Sequence, residues 1–326
     1  MIPKIELHCH IEGAASPELV RRLAEKYGVD LSRLFDRNGH YQWEDFTTFL
    51  QAYDIASSIF RRPEDYEDLA FVYFTKAAIQ GAIYCEVFIS SDHAEKSGLT
   101  YESYVEGLAR GMEKAKSKTG IEGRMIATGV RHFGEKAVER AAQLAVDFPH
   151  PLVTGFGMGG DERHGHPSNF AQAFRIAQEA GLELTAHAGE FGGPESVSAA
   201  LDFLNISRVG HGVRSIEDQK LVDRIIDEEI VLELCPGSNI ALGLYEALRF
   251  HPINHLRRAG VRVTVSSDDP PFFRTSIGEE YDQLAETFGW DAAQLRSISQ
   301  TALDAAFCDE VTRERLRKKF NKSAPT

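Results

Sequence analysis

Eight short runs rich in β-branched and aromatic residues alternate with longer amphipathic stretches along this chain of 326 residues. The runs cover residues 5–11, 82–89, 123–130, 152–158, 182–189, 208–212, 230–236 and 261–269. The stretches between them have helical patterns; SPELVRRLAEKYG, for example, places Ser16 to cap a helix and Pro17 at its first position. Such alternation predicts parallel strands that are joined by helical crossovers.

Eight strand–helix units in one chain predict a single (β/α)₈ TIM-type barrel, with residues 1–326 as one domain. An open doubly wound sheet is the alternative, but the first run is followed by HIEGAAS, which lacks the glycine pattern of a dinucleotide-binding loop. Residues 35–59 form an extra segment, rich in aromatic side chains, before the second unit. In a closed barrel the active site lies where the C-terminal ends of the strands meet.

Side chains that can bind metal recur at the ends of the predicted strands. His8 and His10 must face the same side of the first strand, because strand side chains alternate. The fifth, sixth and eighth strands end with further polar residues: His187 and Glu190, His211, and Asp268 with Asp269. A lone histidine at a strand end is usually only hydrogen-bonded, but four of them at three strand ends, with carboxylates, predict a metal site suited to zinc.

Charge and composition exclude several classes of partner. The chain has 36 Lys and Arg against 49 Asp and Glu, and its net charge of −13 repels nucleic acid. No apolar run is long enough for a membrane span, and MIPKIELHCH has no features of a secretory signal. We therefore expect a cytoplasmic protein with a small-molecule ligand, and interpret the four cysteines, which form no CxxC pair, as reduced thiols. The sequence leaves open whether the chain is a monomer or a homo-oligomer.

Five motifs carry a resemblance to a known family: HCHIEG, GFGMGGDE, TAHAGE, RVGHGVRSIED and VSSDDP. In this order and at these intervals they resemble the adenosine deaminase family of the amidohydrolase superfamily, over nearly the whole chain. The resemblance implies a barrel enzyme that hydrolytically removes the amino group of a 6-aminopurine and holds one zinc ion per chain. The fourth predicted strand contains no lysine, so the carboxylated lysine that bridges two metals in some relatives is absent.

The resemblance also implies roles for individual residues. Four residues are the implied metal ligands: His8, His10, His187 and Asp268. Glu190 would protonate a ring nitrogen of the purine, and His211 would orient and deprotonate the attacking water. Asp269 would hold the far ring nitrogen and that water.

Substrate contacts are implied as well. The Gly160 amide would donate to a purine ring nitrogen, His10 and Asp269 would border the ring, and Glu12 would contact the sugar. The extra segment has four apolar or aromatic residues on one helical face: Phe46, Phe49, Leu50 and Tyr53. Such a stripe usually packs in a core, but in the resembling family this segment covers the purine. We therefore expect a lid that excludes bulk water and helps to bind the substrate.

Two positions depart from the motifs that most relatives have. Gly157 stands in place of the Asp of GFDLAGDE, and Glu12 stands where the better-known adenosine deaminases have Asp. Glu12 also occurs in microbial relatives that deaminate adenine. Those relatives tend to have Ser-Glu where this chain has Asp161-Glu162, and Asp-His-Gly where residues 210–212 read GHG. The sequence thus favours adenosine and 2′-deoxyadenosine, with adenine or a modified aminopurine as alternatives.

Two rival functions are less consistent with the motifs. A metal phosphoesterase or amidase on the same barrel would usually have two metals or phosphate-binding arginines at the mouth. A catalytically silent purine-binding barrel would have lost catalytic positions, whereas Glu190 and His211 are both present.

Overall fold

The computed structural model describes residues 2–322, and within them eight parallel strands form one sheet in chain order. The strands are β1 Lys4–Glu6, β2 Ala82–Ile89, β3 Glu122–Val130, β4 Val153–Gly159, β5 Glu183–Ala188, β6 Arg208–His211, β7 Val231–Leu234 and β8 Arg262–Val265. Each strand pairs with the next one in parallel register. The order and direction are those of a (β/α)₈ barrel.

Helices connect the strands and cover the outside of the sheet. They are α1 Pro17–Tyr27, α2 Phe46–Ser57, α3 Pro63–Ile79, α4 Ser91–Lys96, α5 Tyr101–Thr119, α6 Glu135–Asp147, α7 Ala171–Glu179, α8 Pro194–Leu204, α9 Gln219–Asp227, α10 Pro236–Ala241, α11 Ile253–Ala259, α12 Pro270–Phe273, α13 Ile277–Phe288, α14 Ala292–Ala305 and α15 Glu310–Lys322. As the sequence predicted, Ser16 caps α1 by accepting a hydrogen bond from the Leu19 amide at 3.3 Å.

The barrel closes where the segment after β1 meets the turn after β8. Cys9 forms a parallel bridge with Asp268, and His10 forms one with Phe88 at the end of β2. The His10 amide donates to the Asp268 carbonyl at 3.0 Å, and the Asp268 amide donates to the His8 carbonyl at 3.1 Å. The predicted barrel is confirmed, although β1 ends at Glu6, earlier than the run of residues 5–11 suggested.

A buried charged group lies inside the barrel beneath its mouth. The Arg208 guanidinium lies 2.7 Å from the Glu86 carboxylate and 2.6 Å from the Glu233 carboxylate. It also stacks on the Phe307 ring, with its carbon 3.4 Å from the ring centroid. Buried charges require such pairing, because each one has lost its hydration.

The extra segment after α1 contains α2, whose start is fixed by a capping box. The Asp45 carboxylate accepts from the Thr48 amide at 2.8 Å, and the Thr48 hydroxyl accepts from the Asp45 amide at 2.9 Å. Phe49 packs against Trp43 and Phe273, with ring centroids 5.7 and 4.9 Å away. One face of α2 is therefore attached to the barrel.

Across the described residues, no helix has both the length and the apolar character that crossing a bilayer requires. The four cysteines are unpaired, and Cys9, Cys85 and Cys235 are buried while Cys308 is partly exposed. Their interpretation as reduced thiols agrees with this arrangement. The single domain and the cytoplasmic location stay predictions.

Candidate active site

A pocket opens at the C-terminal ends of the strands, where the active site of a (β/α)₈ barrel lies. Its floor contains the predicted polar residues His10, Glu12, Gly160, His187, Glu190, His211, Asp268 and Asp269. Its wall contains the predicted lid residues Phe46, Phe49, Leu50 and Tyr53. The structure therefore brings together the residues that the motifs singled out, while their roles stay predictions.

Imidazole rings cluster at the floor of this pocket. The His8 ring centroid lies 5.5 Å from that of His10, 4.6 Å from that of His187 and 4.9 Å from that of His211. Asp268 Oδ1 lies 3.6 Å from His8 Nε2 and 3.5 Å from His10 Nε2. Nitrogen and oxygen atoms at these separations can converge on a single ion.

The hydrogen bonding and the protonation state of these imidazoles suit metal binding. His8 Nε2 and His187 Nε2 are buried and have no hydrogen-bond partner among the described residues, which is costly unless another group satisfies them. Burial lowers the pKa of His8, His10 and His187 well below its ordinary value, so these rings are neutral. Neutral imidazole is the form that binds metal, so the residues fit the ion that the resemblance implies.

Glu233, which the motifs did not indicate, orients the ring of His8. Its Oε2 atom lies 2.7 Å from His8 Nδ1, which directs Nε2 of that ring into the site. Arg208 and the Thr185 hydroxyl hold the other carboxylate oxygen at 2.6 and 3.0 Å. Carboxylates behind metal-binding histidines commonly fix the ring and its tautomer. A charged residue inside the apolar run IVLELCP was the available signal.

Two site residues have left-handed backbone conformations that side chains other than glycine rarely adopt. The φ angle is 59° at His211 and 63° at Asp268. The Cys9 bridge holds the turn at Asp268, and the preceding residue, Ser267, donates from its amide to Glu6 at 2.8 Å and from its hydroxyl at 2.5 Å. These contacts therefore hold the turn that places the carboxylate of Asp268 in the site.

Glu190 lies in the loop after β5 with its carboxyl group in the pocket. Its Oε2 atom is 3.6 Å from His211 Nε2. Burial raises the pKa of Glu190 well above its ordinary value, and the negative charges of Asp268 and Glu162 raise it further. A carboxyl group in this environment keeps its proton and can donate it.

Asp269 lines the pocket with a buried carboxyl group. Burial raises the pKa of its carboxyl group well above the ordinary value, and the neighbouring charge of Asp268, with which it shares a hydrogen bond, adds to the rise. Its Oδ1 atom is buried without a hydrogen-bond partner among the described residues. A β-carbon at Gly13 would lie 1.6 Å from that atom, so only glycine leaves room for it.

Glu12 is buried, and both of its carboxylate oxygens are engaged. Oε2 accepts from the Tyr53 hydroxyl at 3.2 Å, and Oε1 accepts from the Tyr104 hydroxyl. Tyr53 belongs to α2 and Tyr104 to α5, so the contact ties the lid to the barrel. No motif indicates Tyr104, which is 92 residues away from Glu12 in the chain.

Neighbouring side chains explain two glycines near the end of β4, Gly157 within the strand and Gly160 just after it. A β-carbon at Gly160, where φ is 90°, would lie 2.6 Å from His132 Nδ1. A β-carbon at Gly157 would lie 3.0 Å from the ring of Phe88, and that ring stacks on His10 with centroids 4.9 Å apart. Phe88 therefore occupies the space beside residue 157 and supports a predicted metal ligand from there.

A second polar contact that the motifs did not reveal lies behind His211. Asn239 Nδ2 is 3.4 Å from His211 Nδ1, and Asn239 Oδ1 is 3.1 Å from His251 Nε2. Asn239 thus contacts both His211 and His251, and this contact restricts rotation of the His211 ring.

Comparisons with known proteins show the family of this chain. Residues 3–323 match the family model described as adenosine deaminase. A curated adenine deaminase from Chelativorans is 59% identical over 316 residues, which cover 97% of each chain. Another from Mesorhizobium japonicum is 54% identical over 321 residues, covering 98% of this chain and 99% of its own.

Solved structures show the same architecture. The crystal structure of an adenine deaminase from Arthrobacter aurescens has a TM-score of 0.92 and 27% identity, covering 99% of both chains. A zinc-bound amidohydrolase from Burkholderia ambifaria has a TM-score of 0.88 and 25% identity, covering 98% of this chain and 90% of its own. The relatives' names match the alternative substrate that the sequence left open, adenine, rather than the favoured adenosine. The chain belongs to the adenosine deaminase family and is a hydrolytic deaminase that acts on a C–N bond.

Proposed function

We propose that this protein converts adenine and water to hypoxanthine and ammonia with the help of one zinc ion. The observation that carries the choice of adenine is that curated relatives 50–59% identical over nearly the whole chain are adenine deaminases. The chemistry itself is supported by the site, where neutral imidazoles and protonated carboxyl groups share one pocket.

Four residues would hold the zinc ion: His8, His10, His187 and Asp268. Their support is the unsatisfied Nε2 atoms of His8 and His187 and the bound zinc of the Burkholderia relative. When bound, zinc supplies Lewis-acid activation of the water that attacks the purine. The lack of lysine on β4 favours one ion over two.

Glu190 is the proposed proton donor. Attack of water on the carbon that bears the amino group moves electrons onto the neighbouring ring nitrogen, which must then be protonated. Burial raises the pKa of Glu190 well above its ordinary value, which favours the protonated form that can donate to this nitrogen. Its position at the pocket floor lets it reach the ring.

His211 and Asp269 complete the proposed chemistry. Burial lowers the pKa of His211, so its neutral ring can accept a proton from the attacking water. Asp269 lines the pocket, and its carboxyl group, whose pKa is raised by burial, can share a proton with the far ring nitrogen of the purine. The amide of Gly160, which also lines the pocket, is the proposed donor to another ring nitrogen.

The surroundings of Glu12 also favour a free base over a nucleoside. Glu12 is fully buried and each of its oxygens already accepts from one hydroxyl, that of Tyr53 or Tyr104, so a ribose hydroxyl must either displace one of them or reach a remaining lone pair. Displacing either hydroxyl would leave a buried polar group unpaired, which costs about 1–3 kcal/mol. A base without a sugar avoids this cost.

The deciding experiment compares substrates on purified, zinc-loaded protein. Adenine, adenosine, 2′-deoxyadenosine and an N6-methylated aminopurine are each followed by ultraviolet absorbance, and ammonia release serves as the second readout. We expect turnover of adenine with kcat/KM at least about 100-fold above that of either nucleoside. Preferential turnover of a nucleoside or of the methylated base would reassign the substrate, and binding without any ammonia release would indicate a silent barrel.

A further inference from the structure

The loop after β5 carries Glu190, and one carboxylate behind it holds the loop. Glu162 accepts hydrogen bonds from four consecutive backbone amides, those of Gly189 at 2.6 Å, Glu190 at 3.0 Å, Phe191 at 2.8 Å and Gly192 at 2.9 Å. The Ser196 hydroxyl donates to the same carboxylate at 2.5 Å. Glu162 is 6% exposed and is not among the described residues that line the pocket, so its contacts are with the protein rather than with substrate.

This carboxylate determines the conformation of the loop. Four successive amides that point towards one carboxylate cannot also donate to a neighbouring strand. A buried amide without an acceptor lowers the free energy of unfolding. A charged carboxylate is a strong acceptor for such a group of donors. The sequence allows the close approach, because a β-carbon at Gly192 would lie 2.6 Å from Glu162 Oε1.

The loop presents two side chains that the deaminase needs in fixed places. The Glu190 carboxyl group faces the pocket 3.6 Å from His211 Nε2. The next residue, Phe191, packs against Phe46 of the lid with ring centroids 4.4 Å apart. A shift of the loop backbone would therefore move the proton donor and loosen the closed lid together.

We propose that Glu162 is a positioning residue, which holds the backbone of residues 189–192 so that Glu190 faces the reacting nitrogen of the purine. The inference rests on the proposed function, in which Glu190 is the proton donor. It assigns to Glu162 a role in kcat that does not require contact with the substrate.

A double-mutant cycle tests this role. Glu162→Gln keeps the side-chain size but replaces one acceptor oxygen with an NH₂ group that faces N–H donors. We expect kcat to fall by about 100-fold, with KM and bound zinc within about threefold of the wild type. In a Glu190→Gln background the same change should cost no more than about threefold, because the group that Glu162 positions is already gone. Losses that multiply in the double variant would overturn the proposal.

Glu195→Gln is the matched control. Glu195 accepts a single amide hydrogen bond, from Gly193 at 3.1 Å, at the end of the same loop. Its variant should keep kcat within about twofold, because the four amides held by Glu162 are untouched. A loss as large as that of Glu162→Gln would contradict a specific role for Glu162.

Amide hydrogen exchange tests the same inference without any substrate. In Glu162→Gln the amides of residues 189–192 should exchange at least about tenfold faster than in the wild type, while Glu195→Gln leaves them unchanged. If the wild type deaminates no purine, the proposed function fails, and the exchange rates still decide whether Glu162 holds the loop. Unchanged exchange in Glu162→Gln would overturn the inference.

Discussion

Glu190 illustrates, at the scale of a single residue, how burial changes the chemistry of an ordinary side chain. Its pKa is raised first by desolvation and then by the negative charges of Asp268 and Glu162. Glu190 can donate a proton only while its carboxyl group is protonated. Its contribution to the rate is therefore present below the raised pKa and is lost as the pH rises through that value. The rate of deamination should therefore decline on the alkaline side.

Substituting the proposed acid separates catalysis from metal binding. Glu190→Gln should lower kcat by about 10²–10⁴-fold, because the amide cannot give up a proton, while the zinc content per chain stays unchanged. His8→Ala should instead lower the zinc content, because it removes a proposed ligand. Steady-state kinetics and metal analysis of both variants make the comparison. A Glu190→Gln enzyme with the wild-type kcat would refute the assigned role.

The motifs predicted residues that the barrel brings into one pocket, because most of them follow strands whose ends meet at its mouth. Their roles stay predictions. The motifs did not predict the partners. Glu233 lies 225 residues from His8, and the Glu162 carboxylate meets amides 27–30 residues away. Such contacts depend on strand register, which a local pattern does not specify. The preference for adenosine also rested on local motifs, and the relatives' names support its alternative, adenine, better.

At the scale of elements, two predicted strands show how the observed pairing agrees with or departs from the sequence pattern. The predicted run of residues 82–89 coincides with β2, which pairs with strands on both sides. The run of residues 5–11 yields a strand only to Glu6, because the residues beyond it make single bridges to Phe88 and Asp268. The alternating pattern correctly predicted extended backbone, but it does not indicate how many backbone pairs that segment forms with neighbouring strands.

The lid helix gives a prediction at this scale. Phe46 is the first residue of α2 and contacts Phe191 across the pocket mouth. Phe46→Ala should raise KM for the substrate about tenfold with a smaller change in kcat, because it removes apolar cover without touching a catalytic group. Ile55→Ala, on the exposed side of the same helix, is the control and should leave KM unchanged. Equal KM values in wild type and Phe46→Ala would argue against a lid.

Helix α13 contains a buried carboxyl group away from the proposed chemistry. Glu280 accepts from the Gly237 amide at 3.0 Å and from the Thr275 hydroxyl at 2.6 Å. Burial raises its pKa to about 7 from an ordinary 4.5. The protonated form is thus favoured in the folded state, so its stabilisation is complete below about pH 4.5 and is lost as the pH rises to about 7.

Glu280→Gln removes this titration. From the size of the shift, wild type should lose about 3 kcal/mol of unfolding free energy, relative to the variant, between about pH 5 and about pH 8. Glutamine can still accept from Gly237 and donate to Thr275, so the variant should fold. Urea unfolding of both proteins at the two pH values measures the difference, with the exposed Glu286→Gln on the same helix as control. A pH dependence identical in wild type and Glu280→Gln would show that this carboxyl group does not titrate in that range.

At the scale of the whole molecule, the site exists only when the barrel is closed. His8 and His10 follow β1, His187 lies on β5, His211 on β6 and Asp268 after β8. The segments that follow the first and the last strand are joined by the bridge between Cys9 and Asp268, directly beside the proposed ligands. Zinc bound there would connect the first strand to the last, so metal binding and folding of the barrel are linked.

Removal of the metal therefore gives a global prediction. With free zinc at about 1,000 times its Kd, binding adds about 4 kcal/mol to the unfolding free energy, which corresponds to about 6 °C in Tm for a chain of this size. Treatment with a chelator should lower Tm by that amount and abolish deamination, and zinc should restore both. Calorimetry of the two forms provides the measurement. Each form should unfold in one transition, because the strands share one sheet. Two separate transitions would contradict the predicted single domain, and a Tm that is indifferent to metal removal would contradict an ion that joins β1 to β8.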